Sequence, residues 1–213
     1  MIEFTKREIR DLTISFIVLS ICFAIANVKF DVHAFISVLP IVMVGAAIGS
    51  LLYELGQKYV AMKYGCRAEF ELWPLGLIIA FVTSFFGFVF ASPGSVHTYA
   101  ENLTDEIDGR IGIAGPMANA VLALVFIVIA ALIYPFSVHS QIFHLIYLIC
   151  TVGFSVNSFL AAFNLFPIYS LDGTKVMKWS FWIWLAMFVI AGSMVLMSIT
   201  IGAENMVMLL IGK

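Results

Sequence analysis

Long runs of apolar residues without a formal charge constrain this chain more than any other feature of its sequence. The runs are Leu12–Val28, Val32–Tyr53, Leu72–Ser92, Ile111–Tyr134, Ile142–Phe166 and Ser180–Ile201. Each has at least the roughly 17 residues that a helix needs to cross a bilayer core. Only 11% of the 213 residues are charged, whereas soluble domains have about a quarter. The sequence therefore predicts an all-α polytopic membrane protein, a single domain over 1–213 with about five to six transmembrane helices.

Few charges and few cysteines narrow the possible partners. The net charge is −2 and no cluster of basic residues occurs, so we expect the lipid bilayer, and no nucleic acid, as a partner. Cys22, Cys66 and Cys150 have neither disulfide nor metal-ligand spacing and are interpreted as apolar filler. We expect Leu12–Val28 to be retained as a span and not removed as a signal peptide.

The positions of lysine and arginine discriminate between two topologies for Leu72–Ser92. If all six runs cross, ten basic residues divide six to four between the two sides; if this run enters and returns on one side, they divide nine to one, with Lys29 alone opposite. Short cytoplasmic loops are rich in lysine and arginine, so the second arrangement is favoured. It places the N-terminus and the inner ends of the second and fourth spans in the cytoplasm.

The local sequence also suits a re-entrant hairpin. The segments "WPLG", "FFG" and "SPG" interrupt the run Leu72–Ser92 with turn-forming residues. Irregular backbone is tolerated at this depth where other helices shield it. The polar stretch 97–108 is interpreted as a solvated loop or short strands, so we expect a hairpin with short strands within 66–110. An ordinary sixth span is the alternative.

Glu54 and Asp172 are two acidic residues that this topology brings to the same membrane face. Glu54 lies 20 residues beyond Ala34, which is roughly 30 Å along a helix running inward. The fourth span also runs inward, Pro167 ends or kinks it, and Gly173 predicts a turn beside Asp172. Because a buried ionisable group in a membrane is costly, the pair indicates a functional site.

Three segments around these residues resemble a known family. They are "YELGQKYVAMKYG" (53–65), "GIAGPMANA" (112–120) and "NLFPIYSLDG" (164–173). In this order they are similar to the signature regions of the site-2 proteases, intramembrane zinc metalloproteases with H-E-x-x-H, G-P-x-x-N and N-x-x-P-x-x-x-L-D-G segments. The resemblance covers most of residues 35–178. It implies zinc as cofactor and a transmembrane helix as substrate or client.

The resemblance also implies a role for individual residues. Tyr53 and Gln57 occupy the two histidine-ligand positions, and Asp172 occupies the third ligand position. Glu54 matches the catalytic base, and Asn164 matches a substrate-binding asparagine that can hold substrate backbone or an oxyanion. The spacing agrees, since residues i and i+4 share one helical face and could grip one ion.

The chain departs from the family at the two histidine positions. Gln57 offers a neutral carbonyl and Tyr53 a phenol with a pKa of about 10, and both are poor zinc ligands at neutral pH. His97 is the one histidine on the correct side, and we expect it to be solvated in its loop. We therefore expect a protease scaffold for cleaving transmembrane helices that binds no zinc and is catalytically inactive in this form.

Three functions remain open from the sequence. The first is an inactive protease scaffold of the site-2 type whose ligands were lost deliberately or recently. The second is a natural pseudoprotease that holds transmembrane segments. The third is a small channel or transporter with Glu54 and Asp172 as a proton or cation site. Retention of two carboxylates that repel each other without a metal favours the first. The third lacks the repeated broken spans of transporters. Glu54 could also be a plain helix carboxylate paired with Lys58.

Overall fold

The fold is a bundle of membrane-length helices with a small hairpin at one end. A computed structural model describes residues 4–28, 31–90, 93–99, 103–168 and 171–212. Within these ranges the elements are α1 (Lys6–Val28), α2 (Val32–Lys63), β1 (Arg67–Leu72), α3 (Pro74–Ser84), β2 (Gly94–Tyr99), α4 (Asp105–Ser137), α5 (Gln141–Asn164), α6 (Asp172–Trp179), α7 (Phe181–Thr200) and α8 (Ala203–Leu210). Five of these helices, α1, α2, α4, α5 and α7, are long and apolar enough to cross a membrane. The predicted all-α membrane fold is confirmed.

The run Leu72–Ser92 does not form a helix of membrane-spanning length in its described part. Its helix α3 has 11 residues, about 16 Å, which is half the thickness of the hydrocarbon core. The chain then turns at Gly87, whose φ of 87° suits glycine. Strand β2 returns antiparallel to β1, with Leu72 opposite Gly94. The predicted hairpin with short strands is thus confirmed, and the segment does not form a sixth span-length helix. Its re-entrant course in the membrane stays a prediction; Ser92 and Lys29 lie outside the described residues.

Helix α4 begins earlier than the sequence indicated. The end of the polar stretch, 105–108, is its first turn and not loop. The Thr104 side chain accepts a hydrogen bond from the Ile107 amide (3.3 Å), and acidic residues in this turn face the positive end of the helix dipole. The first part of that stretch, 97–99, belongs to β2, as the alternative of short strands predicted.

Small residues let the central helices approach closely. A side chain on Gly45 of α2 would lie 3.0 Å from the backbone of Gly153 in α5, so the two helices touch here almost without side chains between them. One turn further along, Gly49 makes room for the buried amide of Asn157. This contact fixes the height and rotation of α2 and therefore of the residues that follow Gly49 toward Lys63.

A buried ion pair ties α1 and the hairpin to α2. Lys58 Nζ lies 2.8 Å from Glu8 Oε2, and the two side chains are 5% and 1% exposed. The other oxygen of Glu8 accepts a hydrogen bond from the Phe70 amide in β1 (3.0 Å). The Glu8 carboxylate thereby joins α1, α2 and β1 near the polar end of α2.

The hairpin makes an accessibility prediction. In a chain with Cys22, Cys66 and Cys150 replaced by alanine, Lys63→Cys and His97→Cys should react with an impermeant maleimide from the same side of sealed vesicles, since β1 and β2 are paired. Val138→Cys, at the far end of α4, should react only from the opposite side. Labelling of the first two cysteines from opposite sides would show that the segment spans the membrane.

Candidate functional site

The three positions that the sequence resemblance assigns to metal ligands converge in space. Tyr53 and Gln57 lie one turn apart on α2, and both side chains donate hydrogen bonds to the same oxygen of Asp172, Oδ2. The Gln57 Nε2 to Asp172 Oδ2 distance is 2.7 Å. Asp172 is the first residue of α6 and comes from a segment more than a hundred residues away, so the bundle and not local sequence brings the three together.

The second oxygen of Asp172 faces a lysine. Lys175 Nζ lies 3.3 Å from Asp172 Oδ1 and 3.8 Å from Asp108 Oδ1, and it is 3.4 Å from the Val96 carbonyl of β2. Burial lowers the pKa of Lys175, but Asp172 and Asp108 raise it more, so its pKa is above the usual value and the group is an ammonium at neutral pH. The Asp172 carboxylate is therefore stabilised by two hydrogen bonds and one cation.

The segment after α5 places Asp172 by a close backbone contact. A side chain on Gly173 would lie 2.1 Å from the Leu165 carbonyl oxygen, so only glycine allows α6 to begin directly against the end of α5. The same carbonyl accepts a hydrogen bond from the indole of Trp184 in α7 (2.7 Å). Both contacts hold the start of α6 against the bundle.

One face of α4 packs against the site through small residues. A side chain on Gly115 would lie 2.5 Å from the Tyr53 ring, and one on Gly112 would lie 3.3 Å from Lys175 Cβ. Further along, the glycine is on α2 instead: Gly56 lies against Ala114 and Ala118 of α4. The segment "GIAGPMANA" is therefore the surface on which α2 and α6 rest.

Glu54 lines a cavity next to this cluster. Its side chain is buried, and its Oε2 atom has no hydrogen-bond partner among the described residues. The cavity has a volume of about 60 Å³ and its wall includes Ser15, Ser50, Glu54, Asn119, Asn164 and Asp172. Lys58, the partner that the plain-helix interpretation gave to Glu54, is ion-paired with Glu8.

Asn164 reaches the same cavity from the last turn of α5. Its Nδ2 atom donates a hydrogen bond to the Leu160 carbonyl within the helix (2.9 Å). The amide keeps its oxygen as an acceptor and its second N–H as a donor for a ligand. Its predicted role toward substrate stays a prediction.

The donor set does not fit zinc. The Tyr53 hydroxyl and the Gln57 amide nitrogen donate to Asp172, so neither directs a lone pair to the point where an ion would sit. His97 lies on β2 beside Ser95 and is exposed to solvent. Over the described ranges no group of three or more His, Cys, Asp and Glu side chains could hold a metal.

Sequence reasoning missed several residues of this region. Glu8 joins α1 to Lys58 across fifty positions of chain, and nothing near it in the sequence signals that contact. Lys175 is one turn after Asp172, and Asn119 is one turn after Gly115 in the G-P-x-x-N segment, so helical spacing could have found both.

Comparison with known proteins gives two relatives, both from Methanocaldococcus jannaschii. "Putative zinc metalloprotease MJ0611" is 42% identical over 183 residues, which are 85% of this chain and 89% of that protein. "Zinc metalloprotease MJ0392" is 26% identical over 129 residues, 60% of this chain and 30% of that protein. No protein-family model and no solved structure matches. With the first relative matched over most of both sequences, the chain belongs to the zinc metalloprotease family of that protein.

Proposed function

We propose that this chain is an intramembrane metalloprotease scaffold of the site-2 type that binds no zinc and does not cleave peptides. The observation that carries the proposal is the pair of hydrogen bonds from Tyr53 and Gln57 to one oxygen of Asp172. These bonds occupy the positions from which the family's ligands would reach an ion. Family membership, the bundle of apolar helices and the order of the three segments support the scaffold.

Zinc would have to displace the hydrogen bonds and the ion pair that Asp172 already makes. Tyr53 would have to lose its proton, and Lys175 would have to leave Asp172 or share it with a second cation. If the Gln57 amide turned its oxygen toward the site, that oxygen would face the Asp172 carboxylate, which is unfavourable without a strongly bound ion. Each step opposes metal binding, so the Asp172 carboxylate is paired without a metal.

A second candidate function is that of a natural pseudoprotease that holds transmembrane segments. The observation that favours it is the cavity beside Glu54, which keeps unpaired buried oxygen atoms within a membrane bundle. A polar group without a partner at such depth is costly, and a bound segment that donates hydrogen bonds would supply the partner. The holding function and the loss of cleavage are compatible in one molecule.

Metal analysis and proteolysis of the unaltered chain test the proposal. The chain, purified without chelators, should contain far less than one zinc per molecule and should leave a membrane-embedded peptide intact, because a catalytic zinc site usually has three good protein ligands. The M. jannaschii protein named zinc metalloprotease, purified and assayed in parallel, is the control. Stoichiometric zinc, or cleavage that a chelator abolishes, would contradict the proposal.

A further inference from the structure

Three residues that line the cavity beside Glu54 each have a buried side-chain oxygen without a partner. Glu54 Oε2, Asn119 Oδ1 and Ser15 Oγ have no hydrogen-bond partner within the described part of the chain, and their residues are 5%, 1% and 4% exposed. All three residues line the same cavity, from α2, α4 and α1 respectively. A carboxylate and an amide oxygen only accept hydrogen bonds, so the cavity calls for a donor.

The lysines closest to this cavity along α2 and α6 are engaged by other carboxylates. Lys58 is held by Glu8 at 2.8 Å, and Lys175 is shared between Asp172 and Asp108. Glu54 is the fourth carboxyl group in this set, after Glu8, Asp108 and Asp172, whereas the set has two ammonium groups, those of Lys58 and Lys175. A ligand that brings a positive charge would correct the imbalance and gain more than it would in water, because the surroundings are buried.

Much of the remaining wall of the cavity is apolar. Leu12, Phe16 and Leu19 of α1, Phe70 of β1 and Leu160 of α5 contribute to it. The volume of about 60 Å³ exceeds the roughly 30 Å³ share of one water molecule, so an ammonium group fits with methylene groups behind it. A wall that combines hydrogen-bond acceptors with apolar side chains matches an alkylammonium ion better than a bare metal ion, which would need oxygen atoms all round.

We propose that the cavity beside Glu54 binds the ammonium group of a lysine carried by a transmembrane segment. The inference rests on the proposed holding function. It adds that the protein selects a transmembrane segment by its lysine. A lysine within the bilayer is costly unless it finds a counter-ion, so a segment that carries one gains by placing it here. An isolated alkylamine shares this chemistry, and the experiment separates the two sources.

The depth of Glu54 sets where the lysine must lie. Glu54 is nine residues before the end of α2 at Lys63, which is about 13 Å along the helix. The lysine should therefore lie two to three turns from the corresponding end of the client segment. Nearer that end it can extend to the headgroups and would gain little from the cavity.

Binding of two matched peptides in lipid nanodiscs tests the inference. The probes are leucine–alanine transmembrane peptides with either lysine or norleucine at that depth, and affinity is followed by energy transfer from a labelled peptide. The lysine peptide should bind about tenfold or more tightly, because a buried charge pair forms only with lysine. Glu54→Gln, which keeps the shape and removes a buried charge, should abolish the preference. Glu204→Gln, an exposed carboxylate on α8, should leave it unchanged.

The outcomes separate this inference from the proposed function. Equal binding of the two peptides would leave the holding function standing and overturn the lysine site, as would a preference that persists in Glu54→Gln. If neither peptide binds, the holding function itself fails. n-Butylammonium should displace the lysine peptide and not the norleucine peptide; Glu54-dependent binding of n-butylammonium without a lysine preference would assign the cavity to a free amine and overturn the client assignment.

Discussion

Tyr53→His together with Gln57→His should give this chain about one tightly bound zinc ion per molecule. Both positions already point to Asp172 from one face of α2. The double substitution would remove the two side chains that now donate to the carboxylate and replace them with two imidazoles. Gly115 leaves space beside position 53, because no side chain on α4 fills it. The third ligand, Asp172, is retained.

The affinity gain should be large and should need both substitutions. Loss of even an outer hydrogen-bond partner lowers metal affinity by about 10–100-fold, so restoring two direct ligands should raise zinc affinity by more than that. Either single variant leaves one imidazole and Asp172, one ligand short of a usual catalytic site. Zinc content after dialysis against a weak chelator measures the series: the unaltered chain, each single variant and the double variant.

Cleavage by the double variant provides the internal control. With Glu54 present, the double variant should cleave a transmembrane peptide; with Glu54→Gln added, it should keep its zinc and lose cleavage, because glutamine cannot take a proton. Lys175, 3.3 Å from Asp172, would compete with the metal, so Lys175→Met should raise zinc affinity further. A double variant that binds no zinc despite a native circular dichroism spectrum would refute the correspondence between these positions and the family's ligands.

The structure changes the interpretation of why Asp172 is present. The sequence alone predicts that two buried carboxylates repel each other without a metal, which favours a deliberate or recent loss of the histidines. In the structure Asp172 receives hydrogen bonds from Tyr53 and Gln57 and an ion pair from Lys175. Its retention therefore has a physical reason that does not involve zinc. Glu54, with an unpaired oxygen, still lacks such a reason within the chain.

The parts that sequence predicted well depend on regular geometry. The length of α2, the shared face of positions 53 and 57 and the depth of Glu54 follow from helical rise and period. The hairpin with short strands followed from the positions of lysine and arginine together with turn residues. The assignment of this face to the cytoplasm stays a prediction, because the fold fixes which groups share a side and not which side it is.

The parts that sequence missed depend on long-range packing. Pairing of Glu8 with Lys58 requires α1 to lie against α2 at one height, and neither residue has a neighbour that signals it. The hydrogen bond from Phe70 to Glu8 requires the hairpin to fold back on both helices. The start of α4 at Asp105 was not predicted, because acidic residues in a first helical turn have the same polarity as residues of a solvated loop.

Glu8→Ala should destabilise the protein by about 3–5 kcal/mol, because it removes the buried carboxylate that pairs with the Lys58 ammonium. It would also leave the Phe70 amide without its acceptor. The free energy of unfolding in mixed micelles, from denaturant titration followed by circular dichroism, measures the effect. Because α1 supplies Ser15, Phe16 and Leu19 to the cavity wall, the variant should also weaken peptide binding.

The pair between Glu106 and Arg110 is the matched control, since its N–O distance is 2.7 Å but both side chains are exposed. Glu106→Ala should cost less than about 1 kcal/mol, as exposed ion pairs do. Replacement of both members of the buried pair, Glu8→Met with Lys58→Met, should recover most of the loss, since no uncompensated charge remains. The Phe70 amide would still lack an acceptor in that double variant, so recovery should fall short by about 1–3 kcal/mol. Equal losses from Glu8→Ala and Glu106→Ala would mean that burial of the first pair does not matter to stability, and the ion pair would then not be what fixes α1 against α2.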